Sequence, residues 1–275
     1  MADIANVNGV NLWYEVNGSG DPVLQIHGCG FGHFNFSAAT PILSQEFQTI
    51  DFDLRGYGQS DRPVQHYDHE VWADDSVALL DHLGIEKAHI HGTSMGGMVA
   101  QVLASKYPDR VQSVVINCSA AKLDYYGRLL FKNWRDIAEA HGPDSRLLAE
   151  LISWQALAAP HLEAEGVAAV DSIQQILTDS NDTEVFIAAV QSIIDMDIRE
   201  YAKTIQSPAL VLGGDVDPMT PWVQAGDGAG QQWLADNIPG AEKYVIKGGS
   251  HSTIFDSTDE HCRVVGDFFR RNAIG

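Results

Sequence analysis

A serine lies between two closely spaced glycines in the run Gly92-Thr93-Ser94-Met95-Gly96, which follows an apolar stretch and precedes a helical pattern. The spacing is typical of a nucleophile elbow, a sharp strand-to-helix turn that exposes a serine hydroxyl. Glycine suits both flanking positions because a larger side chain would collide with nearby backbone. The start of the next helix offers unpaired N–H groups to a developing negative charge. The segment predicts Ser94 as a nucleophile, with an ordinary glycine-rich turn as the alternative.

A serine hydroxyl is a poor nucleophile near neutral pH, so it needs a base and an acid that orients the base. Further along the chain, an apolar strand pattern runs into Gly213-Gly214-Asp215-Val216-Asp217, and another near the C-terminus runs into a loop with His251. The chain therefore offers the residue types of a catalytic triad in the order Ser, Asp, His. By residue type alone, Asp215 and Asp217 both qualify as the acid.

Three further segments, taken with the serine motif, make the chain similar to the α/β-hydrolase family. Residues 7–22 resemble the opening hairpin of that family, residues 23–30 its strand into the oxyanion loop, and residues 51–63 the segment ahead of its second helix. The four motifs follow the family's order, and the resemblance covers nearly the whole chain. The resemblance implies an α/β-hydrolase fold, with a mostly parallel central sheet flanked by helices.

The resemblance also implies roles for individual residues. Ser94 corresponds to the nucleophile and His251 to the general base that later acts as an acid. Asp217 corresponds to the orienting acid, because Gly214-Asp215-Val216-Asp217 fits the family's Gly-x-x-Asp pattern. Asp215 is then expected to be a turn residue.

Two backbone N–H groups, those of Cys29 and Met95, are placed by the same resemblance in the oxyanion hole, which binds the negative oxygen of the intermediate. A backbone donor does not depend on its side chain, so Cys29 need not act through its thiol; a reactive thiol is the alternative.

Carbon–carbon bond hydrolases of aromatic breakdown also look similar to this chain. However, Cys29 stands where those enzymes have a loop glycine, and Ser252 stands where they usually have a tryptophan. Cofactor-free perhydrolases, enol-lactonases and non-catalytic ligand-binding or receptor members of the fold are further alternatives.

Apolar runs alternate with helical patterns over much of the chain, which is typical of a parallel sheet covered by helices. The patterns predict strands at 12–16, 23–27, 49–52, 88–91, 111–117, 209–212 and 243–246, and helices at 70–83, 95–106, 230–236 and 258–272. Between residues 121 and 204 only helical faces remain. We expect an inserted lid of about four helices at 121–204, and a hydrolase core formed by 1–120 and 205–275.

Aromatic residues occur at three places in the sequence: after the expected oxyanion loop, in the expected lid, and after the strand that leads to Asp217. The predicted wall of the substrate pocket consists of Phe31, His33, Phe34, Trp134, Trp154 and Trp222. Packing in the core or lid is the alternative for most of them. An aromatic wall favours an apolar ligand, so we expect a neutral ester or lactone of small to medium size.

The other histidines and charged residues near the motifs have structural interpretations. His27 and His91 precede glycines at strand ends, where buried and hydrogen-bonded rings are expected. His89 and His91 would share one strand face, but no third ligand follows at a recognisable spacing, so we expect no metal. Asp53 and Arg55 are expected to form an internal ion pair or a turn anchor. No cofactor is indicated.

Composition restricts the partners of the protein. The formal net charge of −20 disfavours nucleic acid and anionic membrane surfaces through repulsion. No apolar segment is long enough to span a bilayer, and the N-terminus lacks the pattern of a signal peptide. The three cysteines, Cys29, Cys118 and Cys262, are far apart and odd in number, so we expect reduced thiols and a cytoplasmic location. A homodimer is left open.

Overall fold

A computed structural model describes residues 2–274 of the chain. Its strands are β1 (Ala2–Val7), β2 (Val10–Asn17), β3 (Pro22–Ile26), β4 (Gln48–Phe52), β5 (Ala88–Thr93), β6 (Val111–Asn117), β7 (Ala209–Gly214) and β8 (Glu242–Ile246). Its helices are α1 (Thr40–Leu43), α2 (His69–His82), α3 (Met95–Lys106), α4 (Tyr125–His141), α5 (Arg146–Ala156), α6 (Ala159–Glu165), α7 (Val167–Ser180), α8 (Thr183–Asp195), α9 (Arg199–Lys203), α10 (Gln231–Asn237), α11 (Thr253–Asp256) and α12 (Thr258–Arg271).

The strands form one sheet in the order β1-β2-β4-β3-β5-β6-β7-β8. β1 and β2 pair antiparallel, β2 also pairs antiparallel with β4, and the remaining pairs are parallel. The mostly parallel α/β fold expected from the sequence is therefore confirmed. The opening hairpin begins at Ala2, before the predicted segment, because its turn is at Asn8–Gly9, where both residues have positive φ.

Apolar side chains on alternate positions of the central strands fill two cores, one on each face of the sheet. Leu24, Ile90 and Ile116 point toward the face covered by α2 and α3. Val23 and Val115 point toward the other face, which α1 and α12 cover. Because helices cover both faces, β5 and β7 are buried at every position, and the carboxyl ends of the parallel strands form one edge where loops meet.

Six helices, α4–α9, follow one another between β6 and β7, where about four were expected. The additional two are the shortest of the six, α6 and α9, and such short helices carry too few turns to show a helical period in the sequence. We call α4–α9 the helical segment. Within it, α4 packs against α8 and α5 against α7. Within residues 2–274, no helix is long and apolar enough to cross a membrane.

Candidate active site

Ser94 occupies a tight turn between the end of β5 and the start of α3. Its backbone has φ 55° and ψ −120°, a conformation that non-glycine residues rarely adopt. A Cβ at Gly92 would overlap the Gly96 carbonyl oxygen, and a Cβ at Gly96 would overlap the Ile26 carbonyl oxygen. The Ser119 hydroxyl donates a hydrogen bond to the Ser94 carbonyl at 2.8 Å and so helps to hold the turn. The geometry agrees with the tight turn that the glycine spacing predicts.

The structure brings Ser94, His251 and Asp217 together from three separate strand ends. The His251 Nε2 atom lies 2.9 Å from the Ser94 Oγ, and its Nδ1 atom lies 3.0 Å from the Asp217 Oδ2. With the ring proton on Nδ1 facing the carboxylate, Nε2 is left to accept the serine hydroxyl proton. The three side chains thus form one hydrogen-bonded chain from nucleophile to base to acid.

Asp217 is held in place by its own loop. The Met219 and Thr220 N–H groups donate to its Oδ1 at 2.8 and 3.0 Å, and the Thr220 hydroxyl donates to its Oδ2 at 2.7 Å. Burial raises the pKa of the Asp217 carboxyl, but the charge and hydrogen bond of His251, together with the Thr220 bonds, outweigh burial and leave that pKa below its usual value. The carboxylate therefore stays ionised beside the imidazole.

Asp215 points away from this site. It is exposed, and its Oδ1 accepts the Gly248 N–H at 2.6 Å, which closes the turn after β8. Of the two acids in the segment, the structure therefore places Asp217 at His251.

Cys29 lines the same cavity as Ser94, and Met95 directly follows the serine in the chain. Within residues 2–274 neither N–H donates to a protein acceptor, and the Met95 N–H belongs to the first residue of α3, at the positive end of the helix dipole. The Asn35 Oδ1 accepts the Gly28 N–H at 2.7 Å and so holds the His27–Gly28 peptide, one peptide before the Cys29 N–H. This arrangement can stabilise a negative oxygen near the Ser94 Oγ.

The Cys29 side chain does not resemble a reactive thiol. It is buried, and the Tyr57 hydroxyl donates to its Sγ at 3.5 Å. Burial raises the pKa of the thiol to about 12 in spite of that hydrogen bond. Because the thiolate is the reactive form, a thiol that stays protonated argues against nucleophilic chemistry at Cys29.

A small cavity of about 30 Å³ adjoins Ser94 and His251. Phe31 and Trp134, two of the six aromatics expected in the pocket wall, line it together with Met219. The Trp134 Nε1 donates to the Gln155 Oε1 at 2.7 Å, so the indole ring is fixed in one orientation.

The structure places the other four expected wall residues elsewhere. His33 and Phe34 line a separate surface depression, because the short 3-10 turn after Phe31 directs them away from the serine. Trp154 is 69% exposed, since it lies on the outer side of α5 while its neighbour Ser153 is buried. Trp222 is half-buried and packs at the edge of the core. Sequence position near a motif does not specify the direction of a side chain.

A group of hydrogen bonds that sequence reasoning missed joins the His251 loop to the helical segment. The Ser252 N–H and the Ser250 hydroxyl both donate to the Ala156 carbonyl, at 2.9 and 2.6 Å. The Asp256 Oδ2 accepts the Ala158 N–H at 3.3 Å and shares the single Ser250 hydroxyl proton with the Ala156 carbonyl. We call these five residues the clasp. No spacing in the sequence signals it, because its partners are far apart along the chain.

The helical segment is also joined to the oxyanion loop. The Asn181 Nδ2 donates to the Gly30 carbonyl at 2.8 Å, and the Gly58 N–H donates to the Ser180 carbonyl at 2.9 Å. The end of α7 is therefore attached to the loop that carries Cys29, while the clasp attaches the end of α5 to the loop that carries His251.

Buried histidines elsewhere have the structural roles expected of them. The His27 Nδ1 donates to the Gly28 carbonyl at 2.8 Å and its Nε2 accepts the Leu54 N–H at 3.0 Å; burial lowers its pKa to about 4. The His91 and His261 Nε2 atoms lie 3.2 Å apart. Burial and the neighbouring His261 hold the pKa of His91 well below its usual value, so this pair stays uncharged.

Asp53 and Arg55 do not pair with each other. Asp53 accepts from the His33 Nδ1 at 2.9 Å, and Arg55 binds Asp75 at 2.8 Å. Each takes part in an internal pair, as expected, but with a partner from another element.

Among the residues described, one group brings three metal-ligand types together, namely Cys118, Asp217 and His251. Asp217 and His251 already bond each other. Burial, with the nearby Asp217 charge, raises the pKa of the Cys118 thiol well above its usual value. The Cys118 thiol donates a hydrogen bond to the Ser250 carbonyl at 3.6 Å.

Comparison with known proteins gives the chain its relatives. Residues 21–258 match the family model of the alpha/beta hydrolase fold. The chain is 27% identical over 249 residues to a putative carbamate hydrolase RutD of Azorhizobium caulinodans, covering 90% of this chain and 91% of that protein. It is 28% identical over 223 residues to the 3-oxoadipate enol-lactonase 2 of Acinetobacter baylyi, covering 77% and 75%. The crystal structure of the enol-lactonase from Burkholderia xenovorans LB400 superposes with a TM-score of 0.88 at 26% identity, covering 98% of this chain and 100% of that one.

Proposed function

The chain belongs to the alpha/beta hydrolase family, and on that premise we propose that it is a serine hydrolase that cleaves a small to medium, neutral and apolar carboxylic ester or lactone. The observation that carries the proposal is the hydrogen-bonded chain from Ser94 through His251 to Asp217, with distances of 2.9 and 3.0 Å. The family and its named relatives support hydrolase activity.

In the proposed mechanism, Ser94 attacks the substrate carbonyl while the His251 Nε2 takes its proton. Asp217 holds the imidazole in the required tautomer and stabilises its charged form. The N–H groups of Cys29 and Met95 bind the oxyanion. His251 then gives the proton to the leaving oxygen, an acyl-enzyme forms on Ser94, and water activated by His251 releases the acid.

The walls of the cavity support a neutral, apolar substrate. Phe31, Trp134, Met219 and Ile254 surround the reacting centre, and no Arg or Lys is among its described lining residues. The overall net charge of −20 also disfavours the approach of anionic substrates.

We further propose that the helical segment acts as a lid over the core, with residues 121–204 as the lid and residues 1–120 and 205–275 as the core. The bonds of Asn181 to the oxyanion loop and of Ala156 to the His251 loop support this role. A cytoplasmic location is part of the proposal. It is supported by three cysteines that are all free and buried.

The test is hydrolysis of p-nitrophenyl esters from acetate to decanoate by the wild type and Ser94→Ala. Loss of the nucleophile is expected to lower kcat by about 10⁴ to 10⁶, as in other triads. Ser105→Ala on the same helix serves as the matched control and keeps full activity. Equal thermal unfolding of the three proteins would show that the fold is intact.

Two outcomes would contradict the proposal. Ser94→Ala activity within tenfold of the wild type would exclude Ser94 as the nucleophile. A folded wild type that turns over none of the esters would favour carbon–carbon cleavage, a highly selective lactonase or ligand binding without catalysis.

A further inference from the structure

We propose that a second cavity beside the catalytic residues binds the alcohol part of the substrate, so that the preferred ester joins a small acyl group to an extended, uncharged apolar alcohol. This inference rests on the proposed serine hydrolase function. We call the second cavity the α7 groove, because Ala169, Ser172 and Ile173 of α7 form one of its walls, opposite Phe255 of α11.

The two cavities differ greatly in size. The cavity at Ser94 has about 30 Å³, and the α7 groove has about 370 Å³. Since one water needs roughly 10 to 15 Å³ on this measure, the first cavity holds on the order of two waters. It therefore accommodates an acyl group of acetyl or propionyl size, and a longer chain must lie elsewhere.

The small cavity has walls that resist enlargement. Trp134, Met219 and Ile254 are each at most 2% exposed. The indole of Trp134 is also fixed by its hydrogen bond to Gln155. Because buried side chains are closely packed, moving any of them to admit a long acyl chain would disturb the core.

Phe31 and Ser252 line both cavities, so the two cavities are neighbours on either side of these residues. Ser252 directly follows His251, so the α7 groove opens on the histidine side of the serine. The leaving oxygen must receive a proton from the His251 Nε2, and the alcohol therefore departs past this ring. Position thus assigns the groove to the alcohol and the small cavity to the acyl group.

The surface of the groove selects an apolar occupant. Alanine and isoleucine side chains of α7 recur at helical spacing along it, and Leu157 and Phe255 extend the apolar lining. The lining also includes His161 and Glu165, and the Glu165 carboxylate repels an acid. The groove is therefore suited to an alkyl or aryl alcohol without negative charge.

The experiment compares octyl acetate with ethyl octanoate, which are isomers of equal atomic composition. We expect kcat/KM to be at least about tenfold higher for octyl acetate, because the groove removes part of the octyl chain from water and the burial of apolar surface is favourable. Equal values, or a preference for ethyl octanoate, would overturn the assignment.

A variant of the groove tests the position of the alcohol. Ser172→Trp places a large ring in the groove at an exposed position, so the fold is not at risk. We expect it to lower kcat/KM for octyl acetate about tenfold and to leave ethyl acetate within twofold. Val167→Trp is the matched control, because Val167 is exposed on α7 outside the groove lining, and it should change neither substrate.

Failure of the inference and failure of the proposed function are distinguishable. Ser94-dependent hydrolysis of ethyl acetate without a preference between the isomers would overturn the groove assignment alone. Absence of hydrolysis of every ester by the folded protein would overturn both. A Ser172→Trp protein that loses activity equally on ethyl and octyl acetate would also contradict the assignment of the groove to the alcohol.

Discussion

Two histidine–aspartate pairs of nearly equal geometry lie in different regions of the molecule. The Nδ1–carboxylate distance is 3.0 Å in His251–Asp217 and 2.9 Å in His33–Asp53, and both carboxyl groups are buried. Burial raises the pKa of each carboxyl, but hydrogen bonds and the charge of the facing imidazole lower it further, so both pKa values lie below the usual one. The two pairs are therefore alike in their Nδ1–carboxylate distance and in the direction in which the carboxyl pKa is shifted.

The two pairs differ in the groups that contact the rest of the imidazole ring. The His251 Nε2 meets the Ser94 Oγ at 2.9 Å. The His33 ring instead packs against Trp13 and Phe34, with centroid distances of 4.0 and 4.2 Å. A nucleophile at the second nitrogen, next to a cavity, is what distinguishes a candidate catalytic pair from a structural one.

Asp53 has a structural environment of its own. It accepts the backbone N–H groups of His33 and Gln59 at 2.7 and 2.9 Å, and a Cβ at Gly58 would overlap its carboxylate. Two loops therefore fold around this carboxylate. The pair shapes the backbone, whereas the pair at Asp217 orients a base.

The largest expected contrast comes from Asp217→Asn. An amide in place of the carboxylate favours the wrong imidazole tautomer, and we expect kcat to fall by about 10⁴. Steady-state kinetics on p-nitrophenyl acetate measures the change. Asp215→Asn is the matched control, two residues away, and should retain kcat within about threefold because Asp215 contacts only the turn after β8. A larger loss in Asp215→Asn than in Asp217→Asn would show that the acid is misassigned.

The corresponding change in the other pair, Asp53→Asn, should affect stability. An amide oxygen cannot replace both carboxylate oxygens for the His33 and Gln59 donors, and each buried donor left unpaired costs about 1 to 3 kcal/mol. We expect the free energy of unfolding in urea to fall by about 3 kcal/mol, and kcat of the folded protein to change less than tenfold. A loss of kcat near that of Asp217→Asn would remove the distinction between the pairs.

The clasp is a second difference between the two histidine–aspartate pairs, because it holds the loop of His251 and not that of His33. Asp256→Ala removes the acceptor of the Ala158 N–H and one of the two acceptors of the Ser250 hydroxyl. We expect kcat to fall about tenfold with KM nearly unchanged, because a loosened base is misplaced in the transition state while binding surfaces remain.

Two further measurements separate this positioning role from a general loss of structure. Asp256→Asn retains one acceptor oxygen and should recover part of kcat. Asp109→Ala, at an exposed turn, should match the wild type. Equal losses of kcat and thermal stability in Asp256→Ala and Asp256→Asn would indicate a structural role alone.

The sequence predicts the residues of the site where a local constraint carries the information. The glycine at 92 is required by a backbone contact within the turn itself, since its Cβ would overlap the Gly96 carbonyl, and Gly214-Asp215-Val216-Asp217 closes a strand end. Strand positions follow from apolar runs, since the central strands are buried on both faces. Such signals can be read along the chain.

Other features depend on contacts between distant segments, and no local pattern records them. Trp134 lines the cavity whereas Trp154 lies in solvent, although both are tryptophans of the helical segment. The difference depends on which face of each helix meets the core. Asp256 stabilises the site through Ala158, a partner that only the folded chain brings near.

The smallest expected effect concerns Asp51, which lies two residues before Asp53. Burial raises its carboxyl pKa to about 7, in spite of the Thr40 hydroxyl bond. Between pH 4 and 7 the folded protein therefore keeps a proton that the unfolded chain releases. The contribution of Asp51 to the free energy of unfolding is therefore largest at low pH and decreases as the pH rises to about 7.

Asp51→Asn cannot ionise, so it should avoid that decrease. At pH 8 we expect the variant to be more stable than the wild type by on the order of 1 kcal/mol. Removing the ionisation stabilises the folded protein, and the weaker bond of the amide to Thr40 offsets part of that gain. The gain should shrink as pH falls from 7 toward 4 in urea unfolding series. Asp53→Asn provides the contrast, since it should be destabilising at pH 8, where the lowered pKa makes the native carboxylate favourable. A gain in Asp51→Asn that is the same at every pH would mean that packing, and not ionisation, separates these two neighbouring acids.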